Sequence, residues 1–370
     1  MNNTLQNLLR KASELTKSGR LAEATEAIQR VLHGHRPTAA PSSAAPASRQ
    51  ENPGVLDGCV FEANAPATAD LSEGQFISGS HSHKQLTRQY KLYVPPGHAG
   101  KALPLVVMLH GCKQNPDDFA AGTGMNQRAQ AQGFFVLYPQ QSSDANPSAC
   151  WNWFKRNHQQ RDAGEPALIA SLTQAVTRQY GIDAQRVYVA GLSAGGAMAA
   201  VLAVAYPDVF AAVGIHSGLP AGAASNVAQA LMVMNSGHAG FSMPGRGHRD
   251  DSPASAPTPP AISIPAIVFH GDADSTVHPR NGEQLVASVR GHPSGKPQVE
   301  QGVSAHGQPY TRSVWPAEPG HAPTEYWVLH GAGHAWAGGR AEGSFTDPQG
   351  MDATEEMLRF FFSQRLKVSP

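Results

Sequence analysis

The chain has 370 residues, with 28 lysines and arginines against 28 aspartates and glutamates and a formal net charge of zero with histidine neutral. Charged residues make up only 15% of it, which excludes the broad basic field needed to hold nucleic acid or an anionic membrane. No apolar run approaches bilayer length, MNNTLQNLLRKASELTKSGR lacks the continuous apolar stretch of a secretory signal, and the length suits one large domain with an appendage.

In chain order, Leu5, Leu8, Leu9, Ala12 and Leu15 recur at helical spacing, and Leu21, Ala24, Ile28, Val31 and Leu32 repeat it after KSGR. This predicts a helical hairpin over 1–33. One hairpin cannot bury its own apolar stripe, so it needs a surface to dock on: the main domain, a second copy, a granule surface or a protein partner. Residues 34–53, rich in Pro, Ala and Ser, read as a flexible linker, and 54–370 as the main domain. Two further biased stretches interrupt that domain: 238–260, read as a disordered insertion, and roughly 291–307, read as a surface loop.

Between these stretches, strand-like runs (YKLYVP, LPLVVMLHG, GFFVLYP, RVYVAG, AAVGIHSG, AIVFHG, TEYWVLHG) alternate with helical periodicity over Asp117 to Gln132, Ala167 to Tyr180, Ala194 to Tyr206 and Gly282 to Arg290. The alternation predicts an α/β fold, a mostly parallel sheet with helices on both faces. Functional groups in such sheets lie beyond the carboxyl ends of the strands.

Within VYVAGLSAGGAMAAVLAV, Ser193 stands where strand pattern changes abruptly to helix pattern, with Gly191 and Gly195 where a Cβ would collide with neighbouring backbone. G-x-S-x-G in this context is the nucleophile elbow of α/β-hydrolases. A close-packed Gly/Ser/Ala turn is the bland alternative, and the strand-to-helix context favours the nucleophile. Asp272 and Asp274 follow AIVFHG, and His330 and His334 follow YWVL, giving the Ser, Asp, His order that this fold produces. A serine hydroxyl needs an imidazole to take its proton, and the imidazole needs a carboxylate to fix its tautomer. His334, in the glycine loop GAGHAW, is the expected base, and His330 is left to bond backbone; spacing alone leaves Asp274 and Asp272 both open as its carboxylate partner, the other being left to cap or brace the loop. Amides of Ala194 and Cys112 are the expected oxyanion donors.

Other signals are weaker. HSH at 81–83 reads as a solvated loop rather than a metal site, and AGTGMNQ lacks the continuation a nucleotide site needs, so no metal and no cofactor is expected. CWNWF places Trp151 and Trp153 either in the core or along a wall for an apolar substrate. The cysteines, Cys59, Cys112 and Cys150, permit one disulfide with a thiol left over, or three buried thiols.

Taken together, LHGCKQNPDDFAAGTGMNQRAQAQGFFVLYPQQ, CWNWF, GLSAGGAMA, HGDADSTV and GAGHAWAGG, spread over roughly 85–340, resemble the esterase family of polyhydroxybutyrate depolymerases, type 1 catalytic domain. The resemblance implies hydrolysis of short-chain polyhydroxyalkanoate or related esters through an acyl-enzyme, with Ser193, Asp274 and His334 as triad. It also implies a Cys112–Cys150 disulfide and substrate contact by Trp151 or Trp153, with His110 and Trp336 as further candidates. Feruloyl and acetylxylan esterases look similar at this level. The family is usually extracellular, an expectation weakened by the missing signal pattern. Short of catalysis, a hydrolase fold used as an adaptor through the hairpin is the alternative of a different class.

Overall fold

A computed structural model of the chain describes residues 73–237, 260–290 and 295–366. The hairpin at 1–33, the linker at 34–53, Cys59 and nearly all of the 238–260 insertion lie outside the described residues.

The strands are β1 (Gln75–His83), β2 (Leu86–Val94), β3 (Leu105–Leu109), β4 (Phe135–Pro139), β5 (Val187–Leu192), β6 (Ala212–His216), β7 (Ala266–Gly271), β8 (Gln298–Val303), β9 (Pro309–Trp315), β10 (Thr324–Leu329), β11 (Trp336–Ala337) and β12 (Thr346–Asp347). The helices are α1 (Pro116–Thr123), α2 (Met125–Gln132), α3 (Gly164–Tyr180), α4 (Ala194–Ala205), α5 (Val227–Ser236), α6 (Arg280–Arg290) and α7 (Ala353–Phe362). Ten strands form one sheet in the order β1-β2-β4-β3-β5-β6-β7-β10-β9-β8, parallel from β4 to β10 and antiparallel at both margins.

Every residue of β3, β4, β5, β6 and β7 is buried, which explains their unbroken apolar sequences. Alternate residues serve opposite faces: Leu105, Val107, Val187 and Val189 pack with α3, α4, α5 and α6, while Val106, Met108, Tyr188 and Ala190 pack with α1, α2 and α7. Helices thus cover both faces of an α/β-hydrolase sheet. Because β4 lies on one side of β3 and β5 on the other, the order reverses at β3, and the crevice for a ligand opens beyond the ends of β3 and β5.

Several local expectations are corrected. The helical run from Asp117 breaks in two because Gly124, at φ 63°, closes α1 and opens α2. The stretch read as a surface loop contains β8, whose Val299 and Val303 are both exposed; with no buried face, QVEQGV gives no alternation to detect. HSH lies at the end of β1, and His81 is buried with Nε2 bonded to Ser171 Oγ at 2.9 Å. Among the described residues no helix is long and apolar enough to cross a membrane, and no cluster of three or more His, Cys, Asp or Glu is placed to hold a metal ion.

Candidate active site

The β5–α4 turn is as tight as its sequence demands. A Cβ on Gly195 would overlap the Leu109 carbonyl, and one on Gly191 would overlap the backbone of Gly195, so the strand and helix meet with no room for side chains. Ser193 sits at the apex with φ 57° and ψ −119°, a conformation that non-glycine residues hold only when their surroundings impose it. Ala194 begins α4, so its amide is one of the first-turn donors without a partner inside the helix.

The loop after β3 emerges beside this turn, Leu109 being level with Gly191 in the sheet. A Cβ built on Gly111 would stand 3.6 Å from Ser193 Cβ, which places the 110–112 backbone against the serine. His110 is buried, and burial lowers its pKa to about 4, so the ring is neutral. Its Nε2 accepts the Gln141 amide at 3.1 Å and Nδ1 donates to the Gly111 carbonyl at 2.8 Å. In a trans peptide C=O and N–H point opposite ways, so pinning Gly111 O also fixes the direction of the Cys112 amide. A disulfide joins Cys112 to Cys150, Gly111 N donates to Gln114 Oε1 at 2.9 Å, and Trp151 Nε1 donates to His110 O at 3.1 Å.

Behind this loop lies a buried charged group. Glu165, at the start of α3, accepts from Gln141 Nε2 (2.6 Å), Asn152 N and Nδ2 (both 2.8 Å) and Arg88 (3.3 Å). Burial would raise its pKa; His158, Gln141 and the Asn152 amide outweigh that and hold it at about 2.

Beyond β7 and β10 the structure brings Asp274 and His334 together: His334 Nδ1 lies 2.7 Å from Asp274 Oδ2. The other carboxylate oxygen accepts the amides of Thr276 (2.9 Å) and Val277 (2.8 Å). Desolvation would raise the Asp274 pKa, but the hydrogen bond and charge of His334 and the Val277 amide hold it below the ordinary carboxylate value. Nδ1 is therefore the protonated nitrogen, and Nε2 is left to accept a proton. Gly271 permits the arrangement, because a Cβ there would overlap the Ala332 carbonyl of the loop bearing His334.

Asp272 and His330 form a separate pair between the same two loops, His330 Nδ1 being 2.8 Å from Asp272 Oδ2 while Asp272 Oδ1 accepts the Gly331 amide at 2.7 Å. They brace the base of the loop; His330 Nε2 bonds Thr311 Oγ1 at 2.9 Å. Ser193 joins the frame through its amide, which donates to His216 O at 2.9 Å. Among the described residues no hydrogen bond engages its Oγ, and in unliganded sites such bonds are often formed only with substrate present.

The aromatic candidates occupy the interior. Trp151 and Trp336 are fully buried and Trp153 nearly so; the Trp336 indole donates to Thr354 Oγ1 at 3.0 Å. These side chains and His110 have the environment of core packing rather than of a substrate wall. Two buried histidines escaped sequence reasoning. His216 ends β6 and His270 lies in β7, and their only signal was position, a histidine at the end of an apolar strand: GIHSG and VFHGD. Burial lowers the pKa of both, that of His216 to about 3. His270 Nε2 donates to Val277 O at 2.8 Å and lies 3.6 Å from Asp274 Oδ2, supporting the turn that holds the carboxylate.

Comparisons with known proteins agree with this architecture. Residues 88–291 match the family described as esterase PHB depolymerase. Over 246 residues the chain is 33% identical to poly(3-hydroxyalkanoate) depolymerase C of Paucimonas lemoignei, covering 65% of this chain and 57% of that protein. It is 29% identical to acetylxylan esterase A of Emericella nidulans, covering 61% and 75%. The chain thus spans little more than half the length of the depolymerase. Among solved structures, acetyl xylan esterase from Aspergillus awamori superposes with a TM-score of 0.54 at 20% identity, covering 74% of this chain and 94% of that one, a likeness of fold. Since the matched segment takes in more than half of the chain and carries the switch-point loops and the elbow, the chain belongs to the esterase PHB depolymerase family.

Proposed function

We propose that the protein is a serine esterase acting on short-chain polyhydroxyalkanoate, a 3-hydroxybutyrate polymer or oligomer. The observation that carries this reading is the Asp274–His334 pair, 2.7 Å apart, formed between the loops that follow β7 and β10 of the sheet that also carries the Ser193 elbow. His334 Nε2 takes the hydroxyl proton as Ser193 Oγ bonds to the ester carbonyl carbon; the Ala194 and Cys112 amides hold the oxyanion. Collapse of the tetrahedral intermediate breaks the bond to the alkoxy oxygen, which leaves with the proton from His334. Water then attacks the acyl-serine, giving its proton to His334 and releasing acid and free serine.

A second reading, hydrolysis of acetyl or feruloyl groups on plant polysaccharide, draws on the acetylxylan esterases among the relatives. Turnover of 3-hydroxybutyrate oligomers measured beside acetyl-sugar and feruloyl esters separates the two. Preference for the oligomers is expected, and equal slow turnover of all three defeats the depolymerase reading. Abolition of turnover by Ser193→Ala separates esterase from adaptor. The apolar stripe of residues 1–33 is assigned to docking on a granule surface or protein partner, tested by deleting residues 1–50 and measuring retention on polymer granules.

A further inference from the structure

Few large hydrophobic side chains are exposed among the described residues. Val299 and Val303 lie on the edge strand β8, Phe362 ends α7 with its ring edge-on to Phe134, and Phe345 is 44% exposed in the segment between β11 and β12. Phe345 is set apart by its backbone. Its φ of 52° lies in the left-handed region, where a bulky residue is found only when its neighbours force it.

The neighbours do so on both sides. Ser344 N and Oγ donate to the Asp118 carboxylate at 2.8 and 2.6 Å, and Ser344 O accepts from Gln114 Nε2 at 2.9 Å. Thr346 Oγ1 donates to Arg340 O at 2.8 Å, and the Phe345 carbonyl accepts the Trp336 amide at 2.7 Å. These partners tie Phe345 to the chemistry. Gln114 also accepts the Gly111 amide, so the segment is fastened to the loop that bears Cys112; Trp336 is two residues from His334. Glycine would take this φ without strain, yet the position carries an aromatic ring held out to solvent.

We propose that Phe345 is a specificity-determining residue: its ring is a platform for the hydrocarbon part of the ester beyond the scissile carbonyl, favouring chain-like substrates over acetate. The inference rests on the serine-esterase reading. An aromatic ring supplies apolar area with little conformational freedom to lose, which suits a repeating aliphatic ester without hydrogen-bond donors.

The test compares wild type, Phe345→Gly and Phe345→Trp on p-nitrophenyl acetate and on 3-hydroxybutyrate trimer, with melting temperatures recorded. Glycine satisfies the backbone, so Phe345→Gly is expected to melt no lower than wild type while the ratio of kcat/KM for trimer over acetate falls about tenfold, mainly through KM. Phe345→Trp is expected to restore the ratio. A ratio unchanged in Phe345→Gly, or not restored by tryptophan, overturns the platform while leaving the esterase reading intact. Failure of wild type to hydrolyse either ester overturns both.

Discussion

The carbonyl of His216 accepts the amide of Ser193 at 2.9 Å, while Nε2 of the same residue accepts the amide of Ala337 at 3.1 Å. One residue at the end of β6 therefore holds the elbow with its backbone and the segment after His334 with its ring. The ring is neutral because burial keeps a proton off Nε2, and Nδ1 then faces Ser217 Oγ at 3.2 Å.

His216→Ala removes the acceptor for Ala337 and leaves the backbone bond to Ser193. Displacing a reacting group by even an ångström costs about a hundredfold in rate. We expect kcat to fall between about tenfold and a hundredfold with KM nearly unchanged, and His216→Gln, which restores an acceptor, to recover part of it. Steady-state kinetics on p-nitrophenyl butyrate, run beside circular dichroism to establish folding, decides the point.

Ser193→Ala, His334→Ala and Asp274→Asn are each expected to lower kcat by about 10⁴-fold or more, and combining them should add little because the three act as a unit. Asp274→Asn is the informative member. An amide facing His334 Nδ1 allows the wrong tautomer, so activity should recover partly at high pH. Full activity in Asp274→Asn would assign the carboxylate role elsewhere, with Asp272 the first candidate to replace.

Reducing the Cys112–Cys150 disulfide, or replacing both residues with serine, frees the loop that carries the Cys112 amide. The bond closes a loop of sequence separation 38, and its loss is expected to cost about 2–4 kcal/mol of stability. Catalysis should suffer at temperatures where the protein remains folded, with kcat affected more than KM. Titration with dithiothreitol, following activity and melting together, gives the order of the two losses.

Acid should weaken the fold in two stages. The folded-state pKa values of His110 (about 4) and His216 (about 3) lie below the 6.5 of a free histidine, and that of His270 is lowered as well. The unfolded chain therefore takes up protons first as pH falls, and each such histidine costs about 1.4 kcal/mol per pH unit below 6.5 until its folded pKa is reached. Glu165, held at about 2, contributes stability that is complete above its ordinary 4.5 and is lost as pH falls towards 2. Glu165→Gln, which leaves Arg88 buried beside a neutral amide, is expected to cost about 3–5 kcal/mol at neutral pH and to remove the second stage only. Urea unfolding from pH 8 to pH 2 measures both.

What could be read from the sequence follows from how burial writes itself into residue types. β3, β5, β6 and β7 are buried on both faces and left continuous apolar runs, and the elbow had to carry Gly191 and Gly195. β1, β8 and β9 are partly solvated margins whose polar sequences resemble loops, and α5 follows a turn with no strong periodicity. At the site, chain order and glycine context pointed to His334 and to an aspartate after β7, and the family resemblance pointed to Asp274, the carboxylate that pairs with His334 here. His216, His270 and Glu165 were not, because a buried polar group is recognised by its partners, and those partners (Ala337, Val277, Gln141) lie far away in sequence or inside unremarkable turns. The tryptophans were ambiguous for the converse reason: an aromatic pair in a loop looks the same whether it faces solvent or the underside of that loop.

The height of the imidazole above the sheet is set by a methyl group that is missing. Because residue 271 has no Cβ, the Ala332 carbonyl descends onto β7 and accepts the Ala273 amide at 3.1 Å. Any side chain there would jack the whole 330–335 arch upward, parting the proposed base from the proposed nucleophile while both side chains remained chemically intact. Residue 271 is thus a silent determinant of turnover, where a loss of activity would masquerade as a defect in catalytic chemistry.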